Sequence, residues 1–281
     1  MLTITVFWLL LKEYSCFLIL PNDTLEEKSF NGRRPINTGD IPDYFDWREQ
    51  DAVSPVKNQG HCAACWAFST AATIESHRKI YLNVKETLSE QFLIDCDPAG
   101  NGCNDGSILQ TYANMVTIFG GILRDEDYYP FVAEQRECRW NAILNLHATN
   151  YTTRSFENIP SPRPQPVPVI GFRRVFRDED VMTGFLYNYG PLSAAINLES
   201  MGRYKGGIDE PTDKNCSPNE LNHAVEIVGY NVYVSENGKR LPYWIIKNSW
   251  GTEWGDNGYY YLVRGRNACG IASDVSFPFV G

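Results

Sequence analysis

Hydrophobic and polar positions divide the chain into a helical first part and a strand-rich second part. The run CWAFSTAATIESHRKIYL is rich in helix formers and contains no proline or glycine, which predicts a long helix beginning at Cys65. Two shorter helices are also predicted. LSEQFLIDC has the serine and glutamate of a helix N-terminus, and SILQTYANMVTIFGG ends on glycines.

Beyond residue 170 the pattern changes to short β-branched and aromatic runs separated by turn sequences such as ENGK and GDNG. The runs that predict strands are GPLSAAIN, HAVEIVGYNVYV, LPYWIIKNSW and GYYYLVRG. Helices followed by strands favour an α+β chain of two lobes. We expect a helical lobe over about 51–150 and a β-rich lobe over about 151–276.

Prolines alternate with other residues between the two parts, in IPSPRPQPVPVIG. Alternate prolines favour an extended, semi-rigid backbone. No two of them have the P-x-x-P spacing of a proline-rich recognition ligand. We therefore predict a surface insertion over about 145–170.

The N-terminal run MLTITVFWLLL is typical of a signal-peptide hydrophobic region, although no basic residue precedes it. Lys12 and Glu13 interrupt the apolar stretch, which makes it a poor membrane-spanning helix. We predict a signal peptide over 1–20, with a signal anchor or a misplaced gene start as alternatives. Residues 21–40 are polar and broken by glycine and proline, as in a linker.

Composition and charge narrow the function classes. The 281 residues are 43 % apolar and 21 % charged, as in an ordinary soluble globular protein. The net charge of −9 argues against a nucleic-acid partner, because binding to phosphates needs a basic face. It fits an acidic compartment or basic substrates, though net charge is a weak guide to either.

The cysteine count points to an oxidising compartment and to one special thiol. There are eight cysteines, at positions 16, 62, 65, 96, 103, 138, 216 and 269. Seven of them lie beyond residue 60, so pairing those seven leaves one as a candidate reactive thiol.

The stretch NQGHCAACWAF holds Cys62 and Cys65 in a C-x-x-C spacing. A redox dithiol would follow a strand in a βαβ unit, but the preceding DAVSPVKNQG is turn-rich. A zinc site would need a second pair of ligands at similar spacing, and none is present. We favour a structural Cys62 beside a nucleophilic Cys65. At the start of a helix, free N–H groups and the positive end of the dipole favour the thiolate.

A nucleophilic cysteine needs an imidazole, and four histidines are available. His61 precedes the helix and is poorly placed, His77 in ESHRK is predicted on a solvated helix face, and His147 lies in a polar segment. His223 begins HAVEIVGY, the most strand-like run, so it can act across a cleft from a rigid position. The alternative for any single histidine is a hydrogen-bonded core residue.

Three blocks then occur in a fixed order: QGHCAACWAF, LNHAVEIVGY and YWIIKNSWGTEWGDNGYYYLVRGRNACGIAS. Together they resemble the active-site blocks of the papain-like cysteine proteases, most of all the cathepsin L branch. The resemblance covers residues 41–281, where IPDYFDWR resembles a mature N-terminus. It implies a papain-like fold of two lobes with the active-site cleft between them.

The same resemblance implies a cysteine endopeptidase that hydrolyses peptide bonds through an acyl-enzyme thioester, without a metal or organic cofactor. Cys65 is then the nucleophile, His223 the acid and base, and Asn248 the group that orients the imidazole. Gln59 and the backbone N–H of Cys65 would form the oxyanion hole. Trp250 would cover the histidine–asparagine contact. A catalytically impaired homologue that only binds peptides is the alternative.

The resemblance also implies a disulfide pattern and a set of substrate contacts. The expected disulfides, with Cys65 free and Cys16 in the N-terminal segment, are Cys62–Cys103, Cys96–Cys138 and Cys216–Cys269. Gly106 would pair its backbone with an extended substrate. The expected S2 pocket has Asp274 at its floor, with Ser107, Ile108, Ala195 and Leu221 as walls. If Asp274 faces the pocket rather than solvent, the enzyme accepts arginine or lysine at P2 beside hydrophobic residues.

Three departures from the family pattern stand out. Ala63 and Asp105 occupy positions where the family usually has glycine, and an alanine in a glycine-only conformation would cost about 1 kcal/mol. The segment 21–40 is far shorter than a usual propeptide, so it is either a reduced propeptide or the product of a truncated gene model.

The remaining expectations concern partners and compartment. We expect protein or peptide substrates, inhibition by cystatin-type proteins or by a propeptide, and a monomer. The sequons at Asn22, Asn150 and Asn215 are compatible with the secretory pathway and a lysosomal or extracellular destination.

Overall fold

The fold is given by a computed structural model, which describes residues 17–18, 41–140 and 164–281. Much of the predicted leader, the linker 21–40 and most of the predicted insertion lie outside the described residues, as do Cys16, His147 and two sequons. Within the described ranges, no helix combines the length and the apolar character needed to cross a bilayer.

Three helices form the first lobe, as the sequence predicts. Helix α1 spans Cys65–Leu82 and ends at Asn83, whose left-handed conformation (φ 55°) closes the last turn. Helix α2 spans Glu90–Cys96, and its N-cap Ser89 accepts a hydrogen bond from the Phe92 N–H (3.1 Å). Helix α3 spans Ile108–Asn114 and continues as a π-helical turn to Phe119.

An antiparallel sheet of eight strands builds the second lobe and reaches into the first. Seven strands are paired in the order β4-β5-β10-β6-β7-β8-β9, and β2 pairs with β7 beside that path. The strands are β2 (Phe45–Asp46), β4 (Gly121–Ile122), β5 (Val167–Val175), β6 (Leu192–Ile196), β7 (His223–Val234), β8 (Arg240–Lys247), β9 (Tyr259–Val263) and β10 (Val275–Val280).

A fourth helix, α4 (Glu179–Tyr189), covers the sheet and was not predicted. Its N-cap Asp178 accepts hydrogen bonds from the Asp180 and Val181 N–H groups (2.9 and 3.0 Å). Its residues Met182 and Phe185 are buried in the core of the β-rich lobe. A second core, between α1, α2 and α3, belongs to the helical lobe. Two cores with a shared boundary confirm the two-lobed α+β architecture.

Strands β5 and β10 were also missed, and β5 corrects the predicted insertion. It begins at Val167, inside the stretch assigned to a surface insertion, and Pro168 pairs with Gly121 of β4. Proline is accommodated there because β4 is a two-residue strand at the end of the sheet. The proline alternation therefore ends in a strand.

A short parallel pair joins β1 (Phe17–Leu18) to β3 (Asp105–Gly106), with Leu18 opposite Gly106. Strand β3 belongs to the helical lobe and contains the glycine expected to pair with substrate. In this structure the backbone of Phe17–Leu18 lies along that glycine.

Candidate active site

The two lobes meet where α1 crosses β6 and β7. The Ser69 hydroxyl donates to the Val225 carbonyl (2.7 Å), and the Thr73 and Ser193 hydroxyls lie 2.7 Å apart. Because α1 lies between the lobes, all its residues from Cys65 to Arg78 are buried. His77 is among them, fully buried and stacked on Phe277 at 5.6 Å. The prediction of a solvated His77 was wrong.

Cys65 is the first residue of α1, and its helix end is open to an anionic group. The N-cap is Ala64, which has no side chain able to cap, and no acidic residue occupies the first turn. The first amides of a helix have no partner within the helix, so their N–H groups and the dipole favour negative charge beside Cys65.

The expected free thiol at Cys65 is not observed, because Cys65 is disulfide-bonded and no described cysteine is free. The prediction counted the seven cysteines beyond residue 60 and set the eighth aside. The whole chain has an even number, eight, so full pairing leaves no thiol over. A sulfur held in a disulfide is not a nucleophile towards a carbonyl.

The other pairings agree with expectation. The described disulfides are Cys62–Cys103, Cys96–Cys138 and Cys216–Cys269. Because Cys62 is joined to Cys103, Cys62 and Cys65 do not form a redox couple with each other. The Ala63 N–H donates to the Cys103 carbonyl (2.9 Å), which fixes the loop before α1. Ala63 does not have a positive φ, so it carries none of the strain considered for an alanine at this position.

His223 is the first residue of β7 and is fully buried. Its Nε2–H donates to Oδ1 of Asn248 (2.8 Å), which follows the end of β8. Among the described residues Nδ1 has no hydrogen-bond partner. The Trp250 ring lies against the imidazole, with ring centroids 4.9 Å apart. The ring is therefore fixed through one nitrogen and keeps the other for proton transfer.

Burial controls the charge of this imidazole. Removal from water lowers the pKa of His223 to about 4, and the hydrogen bond to Asn248 opposes that effect only in part. At neutral pH the ring is uncharged and Nδ1 is a proton acceptor. Cys65 lies one turn before Ser69 on the same helix face, and His223 lies two residues before Val225. The Ser69–Val225 hydrogen bond thus places Cys65 and His223 at the same end of the interface between the two lobes.

Gln59 is fully buried beside the start of α1. Its Nε2 donates to the Cys62 carbonyl (2.9 Å), and its Oε1 accepts from the Ser249 hydroxyl (2.6 Å). Since a side-chain amide carries two N–H groups, the second remains for an oxyanion. The bond to Ser249, next to Asn248, ties the expected oxyanion donor to the expected catalytic asparagine.

Packing requires a glycine at position 106, where substrate pairing is expected from the sequence. A Cβ at Gly106 would lie 2.4 Å from the Trp66 ring, and one at Gly100 would lie 2.5 Å from it. Trp66 therefore fills the space beneath β3, and Gly106 is buried between this ring and the paired strand Phe17–Leu18. This role of Trp66 was not predicted from the sequence.

The residues expected at S2 come from both lobes. The Asp274 carbonyl accepts from the Ala195 N–H (2.9 Å), and the Asn222 N–H, next to Leu221, donates to the Ile196 carbonyl (3.1 Å). Ser107 and Ile108 begin α3 on the opposite lobe. The Asp274 side chain is buried and forms an ion pair with Arg174, Oδ1 to Nε 3.5 Å. Arg174 was not predicted.

A buried polar contact further along β7 was also missed. Glu226 accepts from the Ser76 hydroxyl of α1 (2.7 Å) and forms an ion pair with Lys247 (3.2 Å). Lys247 also donates to the Ser54 hydroxyl (2.9 Å). The sequence did contain a signal, since Glu226 is the one charged residue in the apolar run HAVEIVGY.

Comparisons with known proteins agree with this geometry. The family model described as "Papain family cysteine protease" matches residues 41–279. "Cysteine proteinase 1" of Dictyostelium discoideum is 36 % identical over 290 residues, covering 94 % of this chain and 77 % of its own. "Cathepsin F" of Drosophila melanogaster is 38 % identical over 239 residues, covering 85 % of this chain but only 36 % of its own.

Solved structures show the same fold. Bromelain from Ananas comosus in complex with the E64 inhibitor has a TM-score of 0.69 and 32 % identity, covering 86 % of this chain and all of its own (100 %). Digestive procathepsin L2 from the larval midgut of Tenebrio molitor has a TM-score of 0.75 and 31 % identity, covering 96 % of this chain and 79 % of its own.

Proposed function

Because this chain belongs to the papain family of cysteine proteases, we propose that it is an endopeptidase whose nucleophile is Cys65. The observation that carries the proposal is the buried His223–Asn248 pair (2.8 Å) at the lobe boundary where the uncapped start of α1 also lies. In this proposal Asn248 orients the imidazole and Trp250 shields their contact from water.

Catalysis requires prior release of Cys65 from its disulfide. An external thiolate breaks the protein S–S bond, which forms a mixed disulfide with one protein sulfur and releases the other. A second external thiolate breaks the mixed disulfide, so both protein thiols are freed and the two external thiols leave as a disulfide. The freed Cys65 then transfers its proton to Nδ1 of His223 and becomes a thiolate at the positive end of α1. Formation of this ion pair raises the affinity of the buried imidazole for its proton.

The thiolate attacks the scissile carbonyl and forms a C–S bond. The resulting oxyanion accepts hydrogen bonds from the Gln59 side-chain amide and the Cys65 N–H. His223 gives its proton to the leaving amine as the C–N bond breaks, which leaves a thioester. Water, deprotonated by His223, hydrolyses the thioester and regenerates the thiolate.

The substrate pairs with Gly106 in an extended conformation, since strand addition at β3 is already seen with Phe17–Leu18. The P2 side chain enters a pocket formed by Ile108, Ala195 and Leu221 with Asp274 at its floor. We propose that hydrophobic residues are favoured there and that arginine or lysine is accepted through Asp274.

Membership of the same family also guides our proposal for the biosynthesis, location and partners of this protein. We propose synthesis as a zymogen in the secretory pathway and a lysosomal or extracellular destination, supported by three described disulfides and by the exposed sequon residue Asn215. Cystatin-type proteins or a propeptide would be the inhibitors, protein or peptide chains the substrates, and the enzyme a monomer.

Active-site labelling tests the proposal. The full chain, secreted from a eukaryotic host, is treated with an epoxysuccinyl-peptide inhibitor at pH 5.5, with and without dithiothreitol. We expect one adduct on Cys65 by mass spectrometry, only in the reduced sample, and loss of peptide hydrolysis in proportion to it.

The Cys65→Ala variant is the matched control and should show neither adduct nor activity. A reduced, folded protein with no adduct on Cys65 would contradict the proposal and favour the peptide-binding homologue.

A further inference from the structure

Arg174 lies on the face of β5 that turns towards the helical lobe. Past the β-bulge in the β5–β10 pairing, Phe172 stacks on Tyr112 of α3 at 6.2 Å, while Arg173 lies over the Phe185 ring of α4 at 4.8 Å. Successive side chains of a strand point to opposite faces. Arg174 therefore shares the face of Phe172, towards the helical lobe.

Asp274, the residue before β10, reaches the same face. Ser276 of β10 lies opposite Arg174, and Asp274 precedes Ser276 by two residues, so Asp274 and Arg174 are diagonal neighbours. Their side chains form an ion pair at 3.5 Å, in which the carboxylate is 8 % exposed and the guanidinium 30 % exposed. The carboxylate is thus enclosed, whereas Arg174 has one side in solvent.

Building on the proposed function, we propose that Arg174 is a specificity-determining residue of the S2 pocket. Its guanidinium holds the carboxylate that a P2 arginine or lysine would need. A basic P2 side chain must displace an existing ion pair, so it exchanges one charge-assisted contact for another and gains little. A hydrophobic P2 side chain makes no such demand. Arg174 therefore makes the S2 pocket prefer hydrophobic P2 side chains.

The charges around Asp274 support this assignment. Burial raises the pKa of Asp274, and the positive charges of Arg174 and then Arg177 oppose that shift. Arg177 adds a second cation near the carboxylate, which makes a third, on the substrate, less favourable still. Because Arg174 is partly exposed to solvent, a basic P2 side chain can displace it from Asp274. We therefore expect the unchanged enzyme to hydrolyse basic P2 substrates weakly.

The test compares two fluorogenic peptides that differ only in leucine or arginine at P2, using reduced full-length enzyme at pH 7. We expect Arg174→Gln to raise the ratio of kcat/KM for the arginine peptide over the leucine peptide about tenfold. The gain should lie mainly in KM. Arg174→Lys, which keeps the cation, should hold the ratio near that of the unchanged enzyme.

Arg173→Gln is the matched control, because it removes the same charge from the adjacent position on the opposite face, and it should leave the ratio unchanged. Adding Asp274→Asn to Arg174→Gln should abolish the gain. An unchanged ratio in Arg174→Gln, with the leucine peptide still hydrolysed, would overturn this inference alone. Failure of every reduced variant to hydrolyse the leucine peptide would instead overturn the proposed function.

Discussion

Two buried groups on strand β7 lie near the boundary between the lobes and have partners of different charge. His223, at the start of the strand, is held by the neutral amide of Asn248 and keeps Nδ1 without a described partner. Glu226, three residues later, is held by the Lys247 cation and the Ser76 hydroxyl. Both side chains are almost fully buried. Their surroundings differ in charge rather than in exposure.

The charge of the partner separates the proposed catalytic group, His223, from a structural group, Glu226. In the proposed mechanism His223 must exchange a proton, and a neutral partner such as Asn248 orients the ring without adding a charge that would oppose this exchange. Glu226 instead has a charged partner in Lys247, and its contact with Ser76 links it to the helical lobe. The same strand thus carries the proposed catalytic imidazole at one position and a buried ion pair at another.

The largest expected effect comes from breaking the fixed charge pair. Glu226→Ala leaves the Lys247 ammonium buried without its carboxylate, and we expect a loss of about 3–5 kcal/mol in the free energy of unfolding. Urea denaturation of the disulfide-intact protein measures it. The double variant Glu226→Met with Lys247→Met should lose far less, because no buried charge remains. Equal losses in the two variants would show that packing, not charge, holds this contact.

An intermediate effect is expected from pH acting on His223. Its pKa is lowered from 6.5 to about 4 on folding, so the unfolded chain takes up a proton that the folded protein refuses. The stability contribution is complete above pH 6.5 and is lost as the pH falls towards 4. At pH 4.5 the loss is roughly 2–3 kcal/mol.

Urea denaturation at pH 7 and pH 4.5, in the disulfide-intact form, gives the pH-dependent loss for the unchanged protein and for His223→Gln. The variant lacks the titrating ring, so its loss should be smaller by that amount. Matching losses would mean that His223 is protonated in the folded protein.

The smallest effect is expected from removing the neutral side chain of Asn248 that holds the His223 ring. Asn248→Ala removes the only described hydrogen bond of the imidazole, so the ring is less well oriented. We expect kcat/KM of the reduced enzyme to fall about 30-fold, or ~2 kcal/mol, with little change in stability. Steady-state kinetics over a pH series provides the measurement, with Asn248→Asp as the comparison. A carboxylate there should shift the pH profile upward, which a purely structural role would not do.

Local signals in the sequence were enough to predict much of the helical lobe and the elements that carry Cys65 and His223. The helix starting at Cys65, the serine cap of α2 and the strand starting at His223 depend on neighbours in the chain. The pairing of Cys62 with Cys103 and the position of Asn248 came from motif resemblance instead. Each was then found where the sequence indicated.

The errors involve contacts that no local pattern reveals. His77 has charged neighbours in ESHRK, yet α1 is buried from Cys65 to Arg78 because this part lies between the lobes. The usual alternation of exposed and buried faces does not apply there. The Arg174–Asp274 pair depends on the register of β5 against β10, two strands far apart in sequence. The state of Cys65 depends on oxidation, which composition does not specify.

The disulfides place the enzyme within a limited redox window. Those between described residues close chain segments of 41, 42 and 53 residues, and loops of this size are each worth roughly 4 kcal/mol through the entropy of the unfolded chain. The reductant that frees Cys65 also acts on these cross-links, two of which have a half-buried partner in Cys103 or Cys138. Hydrolysis should therefore pass through a maximum as the ambient potential falls. A mildly reducing compartment would favour the enzyme over both an oxidising and a strongly reducing one.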